Sequence, residues 1–199
     1  MYTLFIDTHN IDINLAIYKD GELLDTRVKS STLHHSDNIM PLLSELLKAN
    51  NLKVNEINSI FCVNGPGSFT GVRLGVTIAK TLAYTLNIPI RTITSLEMFS
   101  VSSNSDKEKL VIIKDLKGCF GGLFTSDNKL IGEYFYKNNS EFEEYIEENN
   151  LKDNIVENKV DFNKLYGFAM TKETINPHKV NPIYIKVIEA LKNDKKSNV

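Results

Sequence analysis

The sequence predicts an α/β protein made of two related halves, and three observations lead there. An apolar strand ending in aspartate occurs twice, as Leu4-Phe5-Ile6-Asp7 and as Val111-Ile112-Ile113-Lys114-Asp115. A hairpin turn follows each at nearly the same offset, with Asp20 thirteen positions after Asp7 and Asp127 twelve after Asp115. Between these repeats the patterning switches from a period of two to a period near 3.6, giving three strands, a helix, a strand, a helix, a strand and a further helix. We read a tandem duplication of a strand-strand-strand-helix unit.

The elements follow in order. Residues 2–7 form a short apolar strand, and 12–19 alternate Ile13, Leu15 and Ile17 with polar neighbours before the turn Lys19-Asp20-Gly21-Glu22, so the two make a hairpin. Leu23 to Val28 continue as a third strand. Ser36 or Asn38 can then cap a helix carrying Ile39, Met40, Leu42, Leu43, Leu46 and Leu47, with Pro41 expected near its first turn. Residues 59–63 are a buried strand, 65–71 a glycine-rich loop, 72–86 a second helix and 89–93 another strand, which leads into a helix from about Ser95. The polar run from Val101 to Lys109 separates the halves, giving units 1–103 and 104–199. After Val111–Asp115 come Cys119–Thr125, the turn Ser126-Asp127-Asn128-Lys129, and a third strand Leu130–Tyr136. Only Asn138 to Asp194 remains for the helices and last strands of the second half, so that half is trimmed.

Composition narrows the function. With 42% apolar and 24% charged residues over 199 positions, the chain can bury a core without disulfides or metals. Its 23 basic and 25 acidic residues give a net charge of -2, which supplies no overall field for a polyanion, so direct nucleic-acid binding is not expected. Cys62 and Cys119 lie far apart inside apolar runs and read as reduced, buried cysteines. The N-terminal residues form no signal peptide and no run approaches the ~18 apolar residues of a membrane span, so a cytoplasmic, unanchored protein is expected. The lysine-rich tail from Lys192 to Val199 reads as a frayed end.

Three antiparallel strands followed by alternating helices and strands, used twice, resemble the actin/sugar-kinase-like (ASKHA) superfold: two ribonuclease-H-like lobes facing a cleft, here with a trimmed second lobe. In that superfold an aspartate after the first strand of each half faces a metal and phosphates. Asp7 and Asp115 occupy those positions.

The most informative run is Gly65-Pro66-Gly67-Ser68-Phe69-Thr70-Gly71-Val72-Arg73-Leu74-Gly75, between a buried strand and a helix. Its amides could form an anion nest. It is not a Walker A loop, because no Lys-Ser/Thr pair follows, and it lacks the glycine spacing of a dinucleotide fingerprint. As a string it closely resembles the GPGSFTGxRxG signature of the TsaB family of bacterial tRNA threonylcarbamoyladenosine biosynthesis. Further pieces keep the family's order: Asp7-Thr8, His35-Ser36 ahead of Leu42-Leu43, Ala79-Lys80 with Leu82-Ala83, Ile88-Pro89 before Ser95-Leu96, and Asp115 with Lys117-Gly118. Pro182-Ile183-Tyr184-Ile185-Lys186 resembles a late Pro-x-Tyr-x-Arg element, with lysine in place of arginine. The resemblance is close over residues 1–125 and thinner beyond.

The resemblance implies a non-catalytic, scaffolding and activating subunit of the complex that places a threonylcarbamoyl group on the adenosine next to the anticodon of tRNAs reading ANN codons. It would pair as a heterodimer with a TsaD-like catalytic subunit, work alongside a TsaE-like ATPase, and meet tRNA only through the complex. This chain alone would bind no cofactor, with ATP and Mg implied for the partner complex. The loop after Asp7 agrees: Asp7-Thr8-His9-Asn10 has no glycine to let the backbone approach phosphates. Asp7 and Asp115 are therefore expected to be vestigial cleft carboxylates.

A zinc site is not expected, since His9, His34, His35 and His178 contain no pair four residues apart on one helix face. Glu143, Glu144, Glu147 and Glu148 read as a solvated acidic face. Two helices carry more apolar surface than one sheet face needs, and the expected partner surface is Ile39, Met40, Leu43 and Leu47 on one with Gly75, Ala79, Leu82 and Ala83 on the other. The isolated chain could form a homodimer when the partner is absent. The rival reading is a small-molecule kinase or ATPase of the superfold, with Asp7 and Asp115 as metal carboxylates.

Overall fold

A computed structural model describes residues 1–30 and 35–186. The first half forms a five-stranded sheet in the order β3-β2-β1-β4-β5. Its strands are β1 (Tyr2–Asp7), β2 (Asp12–Lys19), β3 (Glu22–Ser30), β4 (Ile57–Val63) and β5 (Ile90–Ile93). The first three strands pair antiparallel, and β4 and β5 add in parallel beyond β1. Helices α1 (His35–Ala49), α2 (Phe69–Leu86) and α3 (Ser95–Ser102) complete this half.

The second half repeats the meander as β6 (Lys109–Asp115), β7 (Gly118–Phe124) and β8 (Leu130–Asn138), followed by α4 (Asn139–Glu148) and α5 (Phe162–Met170). The trimming has a specific form. Where β4 pairs with β1 along its length, the matching edge of β6 carries, among the described residues, a single parallel bridge, Leu110 to Ile155. On either side of it the side-chain amides of Asn154 and Asn158 donate to the carbonyls of Glu108 and Ile112, at 3.0 and 2.6 Å. Two asparagines thus satisfy strand-edge carbonyls that a fourth strand would otherwise take.

Strand alternation sorts the core. Leu4, Ile6, Ile13, Leu15, Ile60 and Cys62 pack under α1 and α2, while Phe5, Tyr18, Phe61 and Val63 face α3 and α5. That second cluster continues into Val111, Ile113, Phe120 and Phe124 of the second sheet, so one continuous core crosses the loop between α3 and β6. The outer face of the second sheet is covered by α4 through Ile146, Phe142 and Tyr145. Lys109, at the start of β6, is fully buried, and its ammonium donates to the carbonyls of Ser100 and Ser126 and to the Asn128 side chain, tying α3 to the β7–β8 turn.

Three local expectations need correcting. Helix α1 is already under way at His35, so Ser36 and Asn38 lie within its first turn, and Pro41 sits inside the helix with its ring exposed. Helix α2 begins at Phe69 rather than Val72, because the Ser68 hydroxyl caps it by accepting from the Gly71 amide. His34 and the tail beyond Lys186 lie outside the described residues. Cys62 and Cys119 are free and buried, and burial pushes their thiols up to about 12 and about 11.

Candidate functional site

A cleft of about 1260 Å³ lies between the β1–β2 loop, the start of α2, the β6–β7 turn and the returning segment 183–186. The glycines of the signature run explain how it is built. A Cβ on Gly67 would stand 2.3 Å from the His9 carbonyl oxygen, one on Gly71 2.1 Å from that of Thr8, and one on Gly75 2.5 Å from the Thr8 hydroxyl. The glycines therefore let α2 dock directly on the β1–β2 loop. The docking is fixed by the Ser68 amide donating to the His9 carbonyl (2.7 Å) and the Thr8 hydroxyl donating to the Gly71 carbonyl (2.6 Å). Gly65, at a φ of +104°, begins the turn, and its carbonyl accepts from the Ser95 amide at 2.9 Å.

The non-glycine residues of the signature meet the late Pro-x-Tyr element. The Arg73 guanidinium lies 3.7 Å from the Phe69 ring centre, and its Nε donates to the Tyr184 hydroxyl at 2.7 Å. Lys186, two residues on, pairs with Asp115 at 2.7 Å, and Tyr136 donates to the same carboxylate at 3.0 Å. The Lys186 ammonium holds Asp115 below the usual carboxylate range. The segment through Lys186 thus ties the first half to the second across the cleft.

Asp7 differs from the expectation. It is completely buried and does not line the cleft, because His9 stands in front of it. Its carboxylate accepts from the His9 amide (2.9 Å), His9 Nδ1 (2.8 Å) and the Asn14 side chain (2.9 Å), Asn14 being its cross-strand partner in the β1–β2 register. Burial opposes its ionisation, but the His9 charge and these hydrogen bonds outweigh burial and hold it below the ordinary range. With its oxygens so occupied and its side chain shut off, Asp7 does not fit a metal–phosphate group. Among the described residues no group of three His, Cys, Asp or Glu side chains is placed to hold a metal. The kinase alternative loses its first carboxylate, and Asp115 alone of the pair faces the cleft.

Asp7→Asn is therefore expected to cost about 1–3 kcal/mol, since the amide cannot accept from all three donors and leaves buried hydrogen bonds to His9 and Asn14 unmade. Because the folded Asp7 titrates below its unfolded counterpart, its contribution is complete above a pH of about 4 and fades as pH falls through the folded value. Urea unfolding of both proteins should show their difference shrinking on acidification.

The expected partner surface is largely internal. Ile39, Leu43, Leu47, Gly75, Ala79 and Ala83 are buried; all of them except Gly75 lie in the core under the first sheet, and Gly75 packs on Thr8. The small residues let α2 approach its own sheet and loop, not a partner helix. Met40 is exposed and Leu82 half-buried, and these two keep an outward face. The glutamates of α4 are all exposed, His178 packs edge-on against Tyr84, and His35 lines the cleft. Among the described residues no helix is long and apolar enough to cross a membrane.

Known proteins share this arrangement. A family model described as "TsaD: tRNA N6-adenosine threonylcarbamoyltransferase" matches residues 25–115. The chain is 33% identical over 138 residues to the tRNA threonylcarbamoyladenosine biosynthesis protein TsaB of Bacillus subtilis, covering 69% of this chain and 57% of that one. It is 32% identical over 90 residues to the TsaB of Escherichia coli, covering 45% and 38%. The chain thus spans about half the length of the curated relatives it matches. The solved structure of YeaZ from Pseudomonas aeruginosa superposes with a TM-score of 0.76 over 92% of this chain and all of that one, at 18% identity, which establishes the fold. With the GPGSFTGVRLG turn docked on the β1–β2 loop and these relatives taken together, the chain has the fold of YeaZ and is similar in sequence to the TsaB proteins.

Proposed function

We propose that this chain is a non-catalytic scaffolding subunit in the transfer of a threonylcarbamoyl group to the adenosine next to the anticodon of tRNAs reading ANN codons. It acts in the cytoplasm beside a TsaD-like catalytic subunit and a TsaE-like ATPase, which supply the ATP- and Mg-dependent steps. It meets tRNA only within that complex. The observation that carries the reading is the closure of Asp7: the carboxylate that would hold a metal in a catalytic member of the superfold is spent on His9 and Asn14. Without that carboxylate the cleft lacks the first of the two groups that would orient a metal-bound phosphate.

The exposed Met40 on α1, with the half-buried Leu82 on α2, is what remains of the expected partner surface once the buried stripe is assigned to the core. Co-purification from native extract tests the partnership, and Met40→Lys should weaken it while leaving the melting temperature unchanged. The purified chain, given ATP, Mg²⁺ and tRNA, is expected to show no turnover. ATP hydrolysis on the order of 1 s⁻¹, an ordinary enzymatic rate, would overturn the non-catalytic reading.

A further inference from the structure

We infer that two copies of this chain pair antiparallel through β3, edge to edge, with Thr26 on the two-fold axis. This stands apart from the scaffolding role. β3 is the outer strand of the five-stranded sheet, and among the described residues no strand or bridge takes its free edge. An uncovered edge nine residues long presents amides and carbonyls to any further strand. Two of its apolar side chains are on the surface: Val28 is 54% exposed, and Leu24, which the β2 register skips, is 42% exposed.

The edge groups of Thr26 are taken, but by its own neighbours. The Thr26 amide donates to Asp25 Oδ1 at 2.8 Å, and the Thr26 carbonyl accepts from Arg27 Nη1 at 2.7 Å. In an antiparallel ladder both main-chain groups of a residue point to the same side, so both face the free edge here. Arg27 Nη1 also donates to Asp25 Oδ1 at 2.7 Å, and one ion pair thus closes over Thr26. The other ends of these side chains are anchored elsewhere. Asp25 Oδ2 accepts from Asn50, just past the end of α1, and Arg27 Nε donates to Glu45 on α1.

The sequence around Thr26 is its own complement. In an antiparallel pair centred there, Asp25 lies opposite Arg27 of the second copy and Leu24 opposite its Val28, and the symmetry repeats both pairs. Opposite charges and apolar groups directly across a ladder favour pairing. Centring the pair on Asp25 or on Arg27 instead would set like charges face to face, so the register is specific. On pairing, each Thr26 amide donates to the other copy's Thr26 carbonyl. Oδ1 and Nη1 then exchange an internal partner for the same group on the second copy. No bond of the clamp is left unmade, and the anchors at Asn50 and Glu45 are undisturbed. One patch meeting itself closes at two copies, and a few strand residues bury less than a permanent dimer needs, so the association is reversible.

Sedimentation of the full chain from about 10 µM to about 1 mM tests this, a range that reveals even a weak dimer. The average mass should rise toward that of two chains. Asp25→Arg and Arg27→Asp each set like charges opposite one another, and each should stay monomeric. Their equimolar mixture should associate as the wild type does, because every facing pair is then opposite in sign, and mixing would not cure a misfolded chain. Thr26→Cys should form a disulfide-linked dimer under mild oxidation, the two Cα atoms standing about 5.5 Å apart across the axis. Val28→Cys should not, since its counterpart lies four positions, about 13 Å, along the strand. Cys62 and Cys119 are buried and do not compete. A constant monomer mass up to about 1 mM overturns the proposal. So does association that neither charge variant weakens and Met40→Lys abolishes, or crosslinking of Thr26→Cys no faster than that of Val28→Cys.

Discussion

Ala79→Glu is expected to unfold the chain or bring it close to unfolding. Ala79 has no exposed surface and packs in the core beneath the first sheet, among Leu4, Ile60 and Cys62 of the same cluster. A glutamate there must either bury a carboxylate without a partner or push α2 off the sheet, and either costs about 4–5 kcal/mol or more. At about 2–4 °C per kcal/mol for a chain of this size, the melting temperature should fall by roughly 10–20 °C. Thr77→Glu, two residues earlier on the exposed side of the helix, should stay within about 0.5 kcal/mol of the wild type. A melting temperature for Ala79→Glu within about 2 °C of wild type would return this residue to the surface and reopen the small-residue stripe as a partner interface.

Gly71→Ala should be nearly as damaging, for a different reason. The added methyl would stand 2.1 Å from the Thr8 carbonyl oxygen, a backbone atom that cannot swing aside as a flexible side chain can. The β1–β2 loop must then lift from α2, which breaks the Thr8 hydroxyl bond to Gly71 and strains the Ser68 bond to His9. A loss of about 3 kcal/mol or more is expected, at the upper end of what overpacking costs. Gly167→Ala in α5 is the control, since nothing lies within 4 Å of its added methyl and alanine should gain about 0.5–1 kcal/mol over glycine in a helix. Urea denaturation of both variants measures the contrast. Equal stabilities would mean that the signature glycines are not there for close approach.

The strands of both halves were legible because each kind of signal acts locally. Alternation in Ile13, Leu15 and Ile17 and the Asp20-Gly21 turn are short-range, and so is the aspartate-to-turn offset that exposed the repeat. Tertiary facts were not legible in the same way. The apolar stripe on α1 and α2 says that something covers it, but a stripe reads the same whether its cover is the chain's own sheet or another protein, and here Ile39, Leu43, Ala79 and Ala83 go inward. The edge of β6, which pairs with no further strand among the described residues, could not be read either, because the carbonyls of Glu108 and Ile112 are met by Asn154 and Asn158, two asparagines with no periodic pattern.

The site itself was half visible. The absence of glycine after Asp7 signalled a closed phosphate loop, but the closure depends on His9 and Asn14. The hairpin register that places Asn14 opposite Asp7 follows from the turn position, so that part of the signal was present in the sequence. Arg73 and Tyr184, 111 residues apart, meet only through the returning C-terminal segment, and each motif alone gave no sign of the other.

The central claim is that the chain supports tRNA modification as a scaffold and not through chemistry in its own cleft. The most direct measurement is the threonylcarbamoyladenosine content of total tRNA, by nucleoside mass spectrometry, in cells depleted of this protein and complemented with variants. The account predicts that depletion lowers the modified nucleoside, that Asp115→Ala restores it as fully as the wild type, and that Ala79→Glu does not restore it because it fails to fold. Modification that is unchanged on depletion, or that a folded Asp115→Ala variant cannot restore, would contradict it.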